Sequence, residues 1–223
     1  MPTSSSQGQL IPDPEPNDAS PFVPERGGLK ALREAAAGCR GCHLWRPATQ
    51  TVFGEGLKRS RVMFVGEQPG DREDRDGRPF VGPAGKELDK ALDAVGIARD
   101  EVYITNVVKH FKFEERGRRR IHQTPKRFEI DACRPRLDAE MAEVKPEALV
   151  LLGASAAKAL LGASFRVSRQ RGELLDSELA PLVSATIHPS AILRAPDDSA
   201  RSAERAAFNR DLGNVAEALA KRG

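Results

Sequence analysis

Apolar residues along this chain recur in two alternating rhythms. Continuous apolar runs at Arg61-Val62-Met63-Phe64-Val65, Val102-Tyr103-Ile104-Thr105-Asn106, Ala148-Leu149-Val150-Leu151-Leu152 and positions 182–187 read as strands buried on both faces. Between them the spacing turns helical. Leu88, Ala91, Leu92 and Val95 recur at i, i+3, i+4, i+7 in a helix that Pro83 opens and Gly96 stops. Further helices are expected over 29–37 with Gly38 as C-cap, over 128–143 with a bend or restart at Pro135, over 155–161, and over 201–220. Strands separated by helices predict an α/β fold of three layers, αβα, around a central, mostly parallel four-stranded sheet. Ligands of such sheets bind beyond the carboxyl ends of the strands. The polar residues Glu67, Gln68, Asn106 and His188 all follow strands and are expected to converge there.

The periodic pattern begins only near residue 28. Residues 1–27, rich in Ser, Pro, Asp and Gly, read as a disordered tail, and 28–223 as one domain. Hydrophobic residues make up 39% and charged residues 30%, and no apolar run approaches the roughly 18 residues that span a bilayer. A membrane protein is therefore not expected. No basic, then apolar, leader opens the chain, so a cytoplasmic location is the expectation. The net charge of +3 is small, but Arg116, Arg118, Arg119, Arg120, Lys126 and Arg127 crowd into one segment. Such a cluster suits a polyanion, and equally a solvated loop.

Candidate chemistry follows from position. Gly66-Glu67-Gln68-Pro69-Gly70-Asp71 is a tight turn after a strand. Downstream, Phe80 sits between Pro79 and Val81-Gly82-Pro83, a stiff loop suited to stacking under a planar ligand or to tucking the ring into the core. The Asn106 amide can donate to a carbonyl and accept from an N–H at once, the pair that uracil offers at O4 and N3. His122 stands among arginines, an imidazole placed beside phosphates or an exposed loop residue, and His188 precedes Pro189-Ser190 at a strand end. Cys39-x-x-Cys42 with the distant Cys133 supplies three thiols of a tetrahedral zinc or iron–sulfur site, with His110 and His43 as candidates for the fourth ligand. Cys39-Arg40-Gly41-Cys42-His43 also spells a c-type haem attachment pattern, which is set aside because no export signal accompanies it.

Taken together, GEQPG (Gly66 to Gly70), GRPFVGPAG (Gly77 to Gly85), YITNVVKH (Tyr103 to His110), ACRP (Ala132 to Pro135) and HPS (His188 to Ser190) resemble the uracil-DNA glycosylase superfamily, in particular its iron–sulfur family 4. The resemblance runs from about residue 28 to the C-terminus. Two departures, His110 where that family has cysteine and the insertion carrying Arg118 to His122, resemble the UdgX-type subgroup, which captures uracil-DNA covalently.

The resemblance implies a uracil-excising enzyme that traps itself on C1′ of its abasic product through His122. The alternatives are a multiple-turnover hydrolase and a non-catalytic metal-containing DNA-binding module. By this resemblance Phe80 stacks on the flipped base, Asn106 reads O4 and N3, and His188 bonds O2. Glu67 orients or deprotonates His122, while Gln68 and Asp71 line the pocket. Arg118, Arg119 and Arg120 hold the DNA, and Lys109 and Arg194 hold the DNA backbone or the pocket. Cys39, Cys42, His110 and Cys133 bind a 4Fe-4S cluster, and His43 becomes incidental. The implied substrate is uracil-containing DNA, single-stranded by preference, bound by a monomer.

Overall fold

The computed structural model describes residues 18–222. Its elements are α1 (Gly28–Ala37), β1 (Val62–Gly66), α2 (Asp71–Asp76), α3 (Pro83–Ala94), β2 (Val102–Asn106), β3 (Phe113–Arg116), β4 (Arg119–His122), α4 (Arg127–Val144), β5 (Ala148–Leu152), α5 (Ala154–Leu161), α6 (Val167–Gln170), β6 (Leu174–Leu175), β7 (Leu182–Thr186), α7 (Ser190–Leu193) and α8 (Asp198–Ala220).

The central sheet runs β2-β1-β5-β7-β6. Its first four members are parallel and are the four predicted strands. The fifth, β6, is a two-residue antiparallel edge too short to leave a pattern in the sequence. Period-two alternation explains why these strands are apolar throughout. Met63, Val65, Leu149, Leu151, Val183 and Ala185 face one core with α4, α5 and α6. Val62, Phe64, Val102, Ile104 and Val150 face the other, with Leu88 and Leu92 of α3 and Phe208, Leu212 and Val215 of α8. Helices thus cover both faces, as the predicted three layers require.

Three expectations need correction. The basic segment is not a loop: β3 and β4 pair as a separate antiparallel hairpin that turns at Gly117, where φ is +61°. Of the bend or restart expected at Pro135, the restart does not occur, since helix α4 is continuous across that residue. Residues 18–27, assigned to the tail, are docked: the Ala19 N–H donates to Ala132 O, and the Arg136 guanidinium reaches Phe22 O and Leu32 O. Residues 1–17 of that expected tail lie outside the described residues. No helix among the described residues is long and apolar enough to cross a membrane.

Candidate active site

A cleft of about 920 Å³ opens at the carboxyl ends of the parallel strands, walled in part by Glu67, Phe80, Asn106, His122, Ser155 and His188. Glu67 leaves β1, Asn106 ends β2, His188 follows β7, and His122 is brought in from outside the sheet by β4. The topological expectation therefore holds for the three strand-end residues.

Asn106 is almost wholly buried, and its Oδ1 has no hydrogen-bond partner among the described residues. A side chain on Gly66 would meet that oxygen at 2.4 Å and the Phe80 ring at 2.7 Å, so a glycine here keeps the floor of the cleft open. Phe80 adopts φ +55°, unusual for a bulky residue. The loop carrying it leans tightly on α3, where a Cβ on Gly85 would fall 1.8 Å from Phe80 O. Its ring centroid lies 5.7 Å from that of His188.

His188 is poised as a neutral donor. Its Nδ1 accepts from the Ser190 backbone N–H at 3.2 Å and lies 2.8 Å from Ser190 Oγ, which in turn accepts from Arg194 Nη1. A backbone N–H can only donate, which assigns the proton of the neutral ring to Nε2. Burial pushes the His188 pKa down to about 4, the Glu67 charge only partly opposing it.

Glu67 divides its two oxygens. Oε1 stands 3.2 Å from His122 Nε2, and Oε2 accepts from Ser155 Oγ. Burial alone would raise this carboxyl; the hydrogen bonds from His122 and Ser155 outweigh it and hold the group below its ordinary value.

The hairpin is anchored by residues expected to do other things. The Arg120 guanidinium is paired with Asp71 at 2.5 Å and with Asp74 at 2.6 Å, and it lies over the rings of Phe111 and Phe113. It is a latch, and its donors are already engaged; a phosphate-binding role does not fit. Asp71, at the cleft edge, spends its carboxylate on that latch and on Arg75. Gln68 donates to Lys112 O and Gln123 O and accepts from Lys112 N, so its whole amide ties the two hairpin roots together. Gln68 lines the cleft, but both of its amide N–H donors are already engaged.

Lys109 is corrected most sharply. It is 1% exposed, with Nζ 2.6 Å from Glu140 Oε1 and bonded to Thr105 Oγ1 and Asn106 O. No DNA backbone can reach it. Arg118 and Arg119 do stand exposed at the hairpin tip. Arg194 borders the cleft. Sequence reasoning missed Ser155, Asp74 and Glu140.

The three cysteines, two from one short segment and the third from α4, are near enough to influence one another. Burial pushes the Cys133 thiol up to about 12, and the charges of Cys42 and Cys39 add to that. Burial likewise raises Cys42, with Cys39 contributing. His110 is buried and its Nε2 lies 2.8 Å from Thr51 Oγ1. Among the described residues no group of three or more His, Cys, Asp or Glu stands ready to hold a metal ion as placed. The donor chemistry, three thiols of which Cys42 and Cys133 are disfavoured as free thiolates, still fits a soft metal or cluster that would neutralise them. His43 turns away to Glu129, at 3.2 Å, and the Phe128 ring.

The chain is similar to proteins named type-4 uracil-DNA glycosylase. That of Sulfurisphaera tokodaii is 37% identical over 76% of this chain and 77% of its own length. That of Pyrobaculum aerophilum is 37% identical over 82% and 91%, and that of Thermotoga maritima 38% identical over 74% and 83%. The family model of the uracil DNA glycosylase superfamily matches residues 53–213, which include Glu67, Phe80, Asn106, His122, Ser155 and His188. With that match spanning the sheet, the hairpin and the whole cleft wall, the chain belongs to the uracil DNA glycosylase superfamily.

Proposed function

We propose that this protein recognises uracil in DNA, excises it, and becomes joined through His122 to C1′ of the abasic sugar. The observation that carries the covalent step is the placement of His122 on the cleft wall with Nε2 facing Glu67 Oε1 at 3.2 Å. A carboxylate only accepts, so the ring presents its unprotonated nitrogen elsewhere, free to act as a nucleophile.

Uracil inside a duplex hides its sugar, so the base must be extruded or already unpaired, which favours single-stranded DNA. Phe80 stacks on the extruded ring. Asn106 Oδ1, otherwise unpartnered, accepts from N3–H while the amide N–H donates to O4. His188 Nε2–H donates to O2. As the C1′–N1 bond breaks, its electron pair leaves with uracil as an anion, and each aimed donor stabilises that charge by about 2.7–4 kcal/mol. The sugar gains oxocarbenium character, and the His122 lone pair forms a bond to C1′. The Nε2 proton of the resulting imidazolium is shared with Glu67. The exposed Arg118 and Arg119, with Arg194, contact the strand.

In this reading Cys39, Cys42, Cys133 and His110 hold a 4Fe-4S cluster. A bound cluster would cross-link the N-terminal segment to α4, a structural contribution; zinc in its place would give no visible absorption band.

The names of the relatives favour a second reading, a multiple-turnover hydrolase in which water takes C1′. Uracil-containing single-stranded DNA, incubated with the protein and run on a denaturing gel, separates the two. Capture gives an SDS-resistant slow band that His122→Ala abolishes. A band undiminished in His122→Ala overturns His122 as nucleophile. Uracil release with no band from the wild type establishes the hydrolase, and no uracil release at all overturns both.

A further inference from the structure

Ser155 lies in the first turn of α5, just past the carboxyl end of β5, and borders the same cleft as Glu67 and His122. Its hydroxyl donates to Glu67 Oε2 while the other carboxylate oxygen faces His122. The terminal torsion of a glutamate is broad, so a free carboxylate does not aim either oxygen. Fixing one oxygen fixes the direction of the other.

The backbone brings Ser155 to this spot. Gly153 turns with φ +93°, its N–H donates to Thr186 O at 2.8 Å, and a Cβ there would lie 2.9 Å from His188 Cβ. The start of α5 is thereby drawn in between Glu67 and His188. The positive end of a helix dipole also favours a carboxylate at that place.

We propose that Ser155 is a positioning residue for covalent capture: its hydroxyl aligns the Glu67 carboxylate so that the opposite oxygen holds the His122 ring with its unprotonated nitrogen toward the sugar. This rests on His122 being the nucleophile. Two other titratable groups face Glu67, His122 from β4 and His188 from the turn after β7. With the hydroxyl removed, Glu67 loses one of the two hydrogen bonds that counter its burial, and its carboxyl titrates higher.

The test uses full-length Ser155→Ala and Ser155→Thr beside wild type and His122→Ala. Uracil release, SDS-resistant adduct and free abasic DNA are followed in single turnovers across pH, and the Glu67 carboxyl is titrated by 13C NMR, assigned with Glu67→Gln. Ser155→Ala is expected to slow adduct formation about tenfold or more, the worth of a hydrogen bond to a charged group. Product shifts toward free abasic DNA, the acid limb of the adduct profile moves to higher pH, and uracil release persists. Ser155→Thr, which keeps the hydroxyl, restores the adduct. Equal losses of uracil release and adduct, with the partition unchanged, overturn the proposal in favour of a merely structural serine. An unchanged partition and titration in Ser155→Ala, while His122→Ala forms no adduct, overturns the role of Ser155 and leaves capture by His122 standing. If the wild type forms no adduct, the capture reading fails and the Glu67 titration decides: an upward shift in Ser155→Ala supports the alignment, and no shift overturns it.

Discussion

A buried amide oxygen with no partner costs about 1–3 kcal/mol, and Asn106 Oδ1 is such an atom. A ligand N–H would remove that cost. Asn106→Ala should therefore slow uracil release about 100-fold in single-turnover assays, the effect of deleting one aimed donor, without lowering the thermal unfolding temperature. The titrating residues set a second expectation. Glu67, held low by His122 and Ser155 against its burial, contributes stability that is present above its unfolded pKa and lost as pH falls through its folded one. His188, pushed down to about 4, behaves with the same sign: its contribution is complete above its unfolded value of about 6.5 and is lost as pH falls toward about 4. The unfolding temperature should decline across that window, and His188→Gln should flatten the decline. Glu67, Asn106 and His188 were legible in the sequence because each follows a strand that apolar residues announce. Ser155 was not, since a serine at a helix start usually reads as an ordinary cap. Lys109 was misread because only the fold reveals Glu140 beside it.

At the scale of elements, the hairpin β3–β4 brings His122 to the cleft and was the least legible part. Its residues are mostly exposed and charged, so neither apolar period marks them. The four long strands lay at the other extreme, buried on both faces and apolar throughout. What fixes the hairpin is Arg120 against Asp71 and the fully buried Asp74, with Gln68 at its root. Arg120→Met leaves the Asp74 carboxylate without its cation, and a loss of about 3 kcal/mol in denaturant unfolding is expected. Hydrogen exchange in β3 and β4 should rise, and adduct formation should slow. The hairpin tip behaves differently. Arg118→Ala and Arg119→Ala should each weaken binding to single-stranded DNA and reduce the slope of log K against log salt by about 0.7, as measured by fluorescence titration at several salt concentrations.

For the whole molecule, the core beneath α4 and the cleft are joined through one buried polar network. Glu140 of α4 receives the Tyr103 hydroxyl and the Lys109 ammonium, and Lys109 reaches the backbone carbonyl of Asn106. Burial drives the Tyr103 hydroxyl far above its usual range, so it remains a neutral donor. Lys109→Met or Glu140→Leu alone should cost about 3–5 kcal/mol in denaturant unfolding, because each strands a buried charge; the double variant should cost clearly less than the sum. The layered architecture followed from apolar rhythm, whereas this network joins residues from β2, the segment after it and α4, and only packing brings them together.

Arg120 and His122 occupy alternate positions of β4 and so project from one side of the same pleat. The latch and the imidazole are in this way mechanically inseparable. Any polyanion that lured the guanidinium away from its aspartates would carry the imidazole off with it, so firm hold on a nucleic acid must come from elsewhere. The hairpin behaves as a lever whose pivot is forbidden to let go, while the outermost arginines stand exposed beyond it.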